Sequence, residues 1–200
     1  VKRDGTLLAR EAEVLMDTGA YADNGPRVAK RVISRMLGPY KLDHCKIDVV
    51  ACYTNTVPAG SMRSIGGPQS IWALESHMDS IASKFGIDPL EYRMRLLLKR
   101  GDVLKPGATA IDADLRQGTQ AAIAPLAWNN RNRSKSKGVG VAVGVSDSEA
   151  MPVSVALVRL LADGSVVILA GTTEVGQGAR TMLSQIVAEE LSLPIDRISM

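Results

Sequence analysis

Two stretches of this 200-residue chain carry residue types and spacings that could do chemistry. The first is Gly171-Thr-Thr-Glu-Val-Gly-Gln-Gly-Ala-Arg-Thr181. Gly176 and Gly178 lack a Cβ, so backbone N–H groups there can approach a ligand closely and φ > 0 carries no strain. A helix starting just behind such a turn adds unpaired N–H donors and the positive end of its dipole. Gln177 brings an amide that both donates and accepts, which suits a heterocycle or an oxo group better than a bare phosphate. The chemistry is that of a cradle for a polar or anionic group. A glycine pair before a helix also serves as a plain tight turn, and the stretch fits neither G-x-x-x-x-G-K-[ST] nor G-x-G-x-x-G.

The second stretch is Pro58-Ala-Gly-Ser-Met-Arg-Ser-Ile-Gly-Gly-Pro-Gln69. Loops of this kind, between a strand and a helix, are where scaffolds place binding and catalytic groups. Arg63 is its only charge and sits between Met62 and Ile65. An arginine in apolar company needs an anionic partner, or must reach water or a carbonyl with its head group.

The elements around these stretches follow from periodicity. Thr6 to Met16 alternates and continues to Tyr21 as a strand that bends at Gly19. Gly25-Pro26 starts a helix in which Val28, Val32, Ile33, Met36 and Leu37 form the apolar stripe, and Gly38-Pro39 stops it. Cys45 to Thr54 is β-type and delivers the Arg63 loop. Behind that loop, Gln69 to Lys84 reads as a helix burying Ile71, Leu74, Met78, Ile81 and Phe85, with Glu75 and Asp79 on other faces. Asp88-Pro89 caps a further helix through Leu98, with Leu90, Met94, Leu97 and Leu98 inward. These two helices read as scaffold. A short helix is expected within Asp112 to Trp128, and polar Asn129 to Lys137 is the best linker. Gly138 to Val145 reads as a buried strand approached closely by another group. Val153–Leu161 and Ser165–Ala170 flank Asp163-Gly164 as a hairpin, Thr181–Leu191 is a helix, and Ile195–Ser199 a strand. Strands and helices thus mix in two blocks, an α+β class rather than a repeated βαβ wheel.

Composition narrows the function classes. A hydrophobic share of 46% and a charged share of 22% are those of a globular chain. Aromatics are only 4%, so the core should be aliphatic and rich in methionine. The net charge of +3 comes largely from Arg131, Arg133, Lys135 and Lys137, a solvated linker rather than a nucleic-acid stripe. Cys45 and Cys52 read as buried free thiols of a reducing compartment and are too few for a cluster or zinc site. His44 and His77 lack metal-ligand spacing, and no signal or membrane-length apolar run occurs, which places the protein in the cytoplasm without a membrane span. A chain that starts at Val1 inside a strand-like run and stops at Met200 after a new strand reads as a piece of a longer protein.

Four stretches, in chain order, resemble the large molybdenum-binding subunit of the xanthine dehydrogenase/aldehyde oxidase family. Asp4-Gly-Thr-Leu-Leu-Ala9 through Asp17-Thr-Gly-Ala-Tyr-Ala22 resembles its strand pair. Met62-Arg-Ser-Ile-Gly-Gly-Pro-Gln69 is similar to its Phe-Arg-Gly-Phe-Gly-Gly-Pro-Gln loop, and Asp88-Pro-Leu-Glu-Tyr-Arg93 to its Asp-Pro-x-Glu-x-Arg helix start. Gly171 to Gly178 resembles its Gly-x-Glu-x-Gly-Gln-Gly cofactor loop.

The resemblance implies a molybdenum hydroxylase that inserts water-derived oxygen at an electrophilic C–H carbon of an aldehyde or aromatic N-heterocycle. It implies a molybdenum–molybdopterin cofactor, the cytosine dinucleotide being one form, with FAD and 2Fe-2S on partner subunits or domains. It implies that Met62, Arg63, Ser64 and Ile65 line the active site, and that Gly66, Gly67, Gly176, Gln177, Gly178 and Thr181 hold the cofactor. Residues 1–100 would be the end of a first molybdopterin-binding domain, 101–137 a linker, and 138–200 the start of a second. Partners would be an iron–sulfur subunit, a FAD subunit and a small-molecule substrate, in an oligomeric parent complex without nucleic acid.

Departures from the family pattern also matter. Ile65 stands where family members carry a stacking aromatic and Ser64 replaces a glycine, so a flat purine is not the expected substrate. The loop lacks the cysteine of carbon monoxide dehydrogenases. The family's catalytic glutamate lies in a Gly-Glu motif downstream of these residues, so no residue here is assigned as catalytic, Glu174 included, and the isolated piece is expected to be inactive. The contrasting readings are a non-catalytic cofactor-binding or subunit-assembly module, and an α+β piece whose glycines are turns.

Overall fold

The computed structural model describes residues 1–130, 136–146 and 154–200. It forms two compact units, 1–147 and 148–200. The mixed α+β class holds in both.

Unit 1 opens with β1 (Ala9–Gly19), α1 (Gly25–Met36) and β2 (His44–Tyr53). β1 and β2 pair in parallel from Ala9 opposite His44 to Asp17 opposite Cys52, with an irregularity between Asp17 and Gly19. The bend comes where expected: Gly19 has φ 73°, and a Cβ there would lie 2.4 Å from the Val57 carbonyl oxygen. α1 starts at Gly25-Pro26 and stops before Gly38, whose φ is 64°. Arg10 on β1 holds that end, donating from Nη1 to the carbonyls of Met36 (2.6 Å) and Leu37 (2.8 Å). α1 buries Val28 and Val32 as read from its stripe, but Ile33 is exposed and Arg35 is buried in its place.

α2 (Gly67–Lys84) and α3 (Pro89–Leu96) follow, with Asp88 capping α3 by accepting from the amides of Leu90 and Glu91. Leu7, Tyr40, Leu74, Met78, Ala82, Tyr92 and Leu97 make the core. It is less aliphatic than composition suggests: the scarce aromatics Tyr40, Tyr92 and Trp128 are spent inside. Glu75 is the main correction to the helix faces. It is buried beside Leu74, accepting from Tyr40 Oη (2.7 Å), Arg93 Nε (2.7 Å) and the Val143 amide (3.0 Å). Arg93 is fully buried and also donates to Asp79 Oδ1 (2.6 Å) and to the Glu75 and Pro89 carbonyls. Burial, with the neighbouring Glu75 carboxylate, pushes the Tyr40 hydroxyl well above its ordinary range.

α4 (Leu115–Ile123) is capped by Asp114 and runs into short 3-10 turns up to Asn130, a shorter helix than Asp112–Trp128. Gly138–Val145 forms no strand among its described residues; its partner is the Glu75 carboxylate rather than a ladder. The close approach expected there is real, since a Cβ on Gly144 would sit 2.9 Å from Ile71 Cδ1. Cys45 is exposed and Cys52 half-buried, not the buried thiols expected, because a two-stranded sheet leaves one face open. Arg131, Arg133, Lys135 and Val153 lie outside the described residues.

Unit 2 contains β3 (Ala156–Leu160), β4 (Val166–Ala170), α5 (Ala179–Leu191) and β5 (Ile198–Ser199). β3 and β4 are the antiparallel hairpin about Asp163-Gly164, with Gly164 at φ 81° and Asp163 accepting from the Ser165 amide. β5 pairs in parallel with β4, so β4–α5–β5 is a βαβ unit, as β1–α1–β2 is in unit 1. No helix of the described residues is long and apolar enough to cross a membrane.

Candidate functional site

In open α/β sheets, ligands bind outside the carboxyl ends of the strands. Both stretches singled out in the sequence occupy that position in their own unit. In unit 1 the loop 54–66 leaves the end of β2 and enters α2. In unit 2 the loop 171–178 leaves β4 and enters α5.

The unit 1 loop is fastened at its root by β1. Asp17 accepts from Thr54 Oγ1 (2.6 Å), the Gly19 amide (2.7 Å) and Thr56 Oγ1 (3.0 Å). The Thr54 hydroxyl first, and the Gly19 amide next, hold the Asp17 carboxyl below its ordinary range. Backbone bonds from Ala20 to Thr56 and from Ala59 to Thr18 continue the stitching.

The far end of this loop is strained. Ser64 (φ 73°), Ile65 (φ 36°) and Gly66 (φ 76°) are left-handed in succession. Such a run costs about 1–3 kcal/mol per non-glycine residue and persists only where the surroundings over-determine it. A β-branched residue there is a true outlier. The turn is closed by Ile65 N–H to the Met62 carbonyl (2.9 Å) and Gly67 N–H to the Ser64 carbonyl (3.0 Å). Ser70 Oγ donates to the Gly66 carbonyl (2.6 Å). Beneath it lies α1: a Cβ on Gly66 would be 2.9 Å from Val32 Cγ2. Arg35 Nη1 donates to Ser64 Oγ (3.0 Å), while its Nε is buried without a hydrogen-bond partner. An unmade bond of that kind costs about 1–3 kcal/mol.

The turn leads into an α2 N-terminus that no side chain caps. Met62, Arg63 and Ser64 are exposed, Ile65 is half-buried, and Gly66 and Gly67 are buried. Arg63 makes no ion pair among the described residues, so its charge is available to solvent or a ligand. A groove of about 700 Å³ between Leu90, Met94, Ile123 and Trp128 lies elsewhere in unit 1 and does not include this loop.

The unit 2 loop is organised by its own side chains. Glu174 accepts from the amides of Gly176 (2.8 Å) and Gly178 (3.0 Å), with a longer contact to Arg180 (3.4 Å). The Gly178 amide first, then that of Gly176, holds its carboxyl below the ordinary range. The Gln177 amide closes the turn, accepting from the Val175 amide (2.8 Å) and donating to the Thr173 carbonyl (2.7 Å). Gly176 (φ 97°) and Gly178 (φ 78°) are left-handed, and a Cβ on either would meet nothing within 4 Å. Thr181 is exposed in the first turn of α5. An open cavity of about 500 Å³ is lined by Leu157, Ile168, Gly171, Thr172 and Arg180.

The two loops suit a polar cofactor in different ways. Unit 1 offers an uncapped helix start with Arg63 and the buried Arg35 near it, a positive place without a carboxylate in contact. Unit 2 offers open glycines whose donors already rest on an internal carboxylate that faces solvent, so a ligand would share or displace Glu174. Among the described residues no cluster of His, Cys, Asp and Glu could hold a metal ion directly. What the sequence reading missed is Arg35, whose only signal was a charge inside the α1 stripe, and Glu75–Arg93, which fastens α2 to α3.

Comparisons with known proteins agree with this geometry. A family profile described as a molybdopterin cofactor-binding domain matches residues 1–97, and a second of the same description matches 116–200. A putative xanthine dehydrogenase molybdenum-binding subunit of Escherichia coli (strain K12) is 35% identical over 210 residues, covering 99% of this chain and 28% of its own length. A probable subunit of xanthine dehydrogenase from Bacillus subtilis (strain 168) is 31% identical, with 98% of this chain and 27% of its own length covered. The solved aldehyde oxidoreductase of Desulfovibrio gigas superposes with a TM-score of 0.76 at 29% identity, over 99% of this chain and 23% of that one. The chain therefore spans under a third of each relative's length. With both halves matched to one kind of domain and both loops set at strand ends, the chain belongs to the molybdopterin cofactor-binding family of xanthine dehydrogenase molybdenum-binding subunits and aldehyde oxidoreductases.

Proposed function

We propose that this chain supplies parts of two molybdopterin-binding domains to a larger molybdenum hydroxylase, which oxidises an aldehyde or an aromatic N-heterocycle with water-derived oxygen. The domain organisation would be 1–100, a linker at 101–137, and 138–200. The molybdenum–molybdopterin group, when bound, supplies the two-electron redox chemistry. The electrons leave to 2Fe-2S and FAD carried by partner subunits or domains, since this chain has only two cysteines. Two free thiols are consistent with the cytoplasm as the place of work.

In this reading Met62, Arg63, Ser64 and Ile65 face the reacting centre. Arg63 provides an exposed positive charge to orient a polar substrate, and Met62 an apolar wall. Gly66 and Gly67 lead into the uncapped α2 N-terminus, whose positive end would face the cofactor. Gly176, Gln177, Gly178 and Thr181 present amide and hydroxyl groups to the pterin or its phosphate. No residue of this chain is assigned the role of base.

One observation carries the proposal: the left-handed Ser64–Ile65–Gly66 turn, strained and held from beneath, opening onto an uncapped helix start. Strain of that sort is kept where a loop must present groups in a set direction. The specific alternative, that Gly171–Gly178 is only a turn, is favoured by the internal bonds of Glu174 and Gln177. Molybdenum content of the longer protein, purified from its native host, separates them. Near-stoichiometric metal that falls in Gln177→Ala supports cofactor binding by this loop. Metal present and unchanged in Gln177→Ala assigns the loop as a turn, and no metal in a host with active molybdoenzymes removes the enzyme reading.

A further inference from the structure

Arg35 lies on α1, outside every motif singled out in the sequence, yet it is nine-tenths buried under the strained turn. Its Nη1 donates to Ser64 Oγ, and the same nitrogen would stand 2.8 Å from a Cβ on Gly67, so the guanidinium fills the space beside the first residue of α2. Its Nε has no hydrogen-bond partner, and no carboxylate is in ion-pair contact with it among the described residues. A buried cation next to the positive end of a helix is an unfavourable placement that packing alone would not select. Ser64 is equally out of place, because φ 73° suits glycine and the serine Cβ adds strain there, while its hydroxyl adds a hydrogen-bonding group that glycine could not supply.

We propose that Arg35 is a positioning residue for the Arg63 loop. Through Ser64 Oγ it pins the left-handed turn and so sets the direction in which Arg63 and Ile65 are presented. The two oddities then explain each other: the serine tolerates strain because its hydroxyl is bonded, and the arginine is buried because it makes that bond. Specificity would reside partly in this pair, since the turn decides where the Arg63 charge and the Ile65 side chain sit relative to a substrate. The catalytic consequence rests on the function proposed above; the pinning itself does not.

Hydrogen exchange of the 62–69 backbone, in the longer protein, tests the pin directly. The amides of Ile65 and Gly67 close the turn and report its opening. Exchange should quicken roughly tenfold in Arg35→Met and by a similar factor in Ser64→Ala, with no further gain in the double variant. Ser64→Ala alters an exposed side chain and is not expected to unfold the protein, so it decides the matter should Arg35→Met fold poorly. Unchanged exchange in Ser64→Ala overturns the proposal. So does an Arg35→Met effect that persists in full on the Ser64→Ala background, because Arg35 would then act elsewhere. In the same variants kcat should fall roughly tenfold, with molybdenum content unchanged, since a loop misplaced by about an ångström loses alignment rather than cofactor. Exchange that behaves as expected in a protein that turns over no aldehyde or heterocycle would keep the pin and discard the proposed reaction.

Discussion

The two glycine-containing loops occupy the same place in their units, at the carboxyl end of a strand and the start of a helix, but are held in opposite ways. The 62–67 turn takes its shape from the fold. Its root is bonded to β1, Gly66 rests on Val32, and Ser64 is bonded to a side chain from α1. The 171–178 turn takes its shape from itself. Glu174 and Gln177 bond groups within a few residues, and the space around both glycines is open. A loop moulded from below can hold strained residues and aim them. A loop that carries its own acceptor can exchange that acceptor for a ligand with little disturbance to its surroundings. A loop held from beneath and a loop that carries its own acceptor are different kinds of anchor, and the chain contains one of each.

That contrast predicts unequal sensitivity to distant substitutions. The largest effect should come from Glu75→Ala, in the core behind α2. It leaves Arg93 buried with only the partly exposed Asp79 as an ion partner, and frees the Tyr40 hydroxyl and the Val143 amide. Breaking a buried pair by removing one partner costs about 3–5 kcal/mol. The urea midpoint of unit 1 should fall accordingly, and exchange at 62–67 should rise with it, while exchange at 171–178 stays as it was. A rise at both loops would break the distinction between them.

The strand and helix positions were legible because their punctuation is local. Gly25-Pro26, Gly38-Pro39, Asp88-Pro89 and Asp163-Gly164 each act within a few residues of where they stand. The site loops were legible as loops for the same reason. What was not legible depends on partners far along the chain. Glu75 was placed off the apolar stripe because nothing nearby reveals Tyr40 or Arg93, which lie 35 and 18 residues away. Gly138–Val145 has the composition of a buried strand, but a ladder needs a second strand, and here its Val143 amide meets a carboxylate. Arg35 interrupts an apolar stripe, and only the fold shows that Ser64 waits 29 residues on. The filling of the Gly176 and Gly178 donors by Glu174 was within reach of the sequence, since a carboxylate just before a helix start is favoured by the positive end of the helix dipole.

A smaller effect should separate the glycines themselves. A methyl at Gly19 would press on the Val57 carbonyl at 2.4 Å and on Pro58 Cα at 2.6 Å, both backbone, at φ 73°. Gly19→Ala should therefore cost about 1–3 kcal/mol by overpacking and shift the root of the Arg63 loop. Gly176→Ala meets open space and bears only its backbone strain, about 1–2 kcal/mol. Urea midpoints measured side by side should place Gly19→Ala below Gly176→Ala. The reverse order would mean that the second loop is moulded as tightly as the first.

The smallest effect is one of pH, and it reaches the two loops through different groups. Folding lowers the affinity of Glu174 for a proton, because the Gly178 and Gly176 amides favour its charged form. Its contribution to the turn is thus complete above the ordinary glutamate range and is lost as pH falls through the lower value of the folded state. Asp17 behaves in the same sense at the root of the other loop, through Thr54 and Gly19. With glycine labelled by nitrogen-15, the amide shifts of Gly176 and Gly178 should titrate together, with a midpoint below that of an ordinary glutamate. Glu174→Gln should abolish that titration and leave the Gly19 shift, which follows Asp17, in place. Gly66 should barely respond, since its turn is closed by backbone bonds, the Ser70 hydroxyl and an arginine, none of which changes charge in acid. A Gly66 shift that followed Glu174 would tie the two loops into one titrating system and remove the distinction between an aimed loop and an exchangeable one.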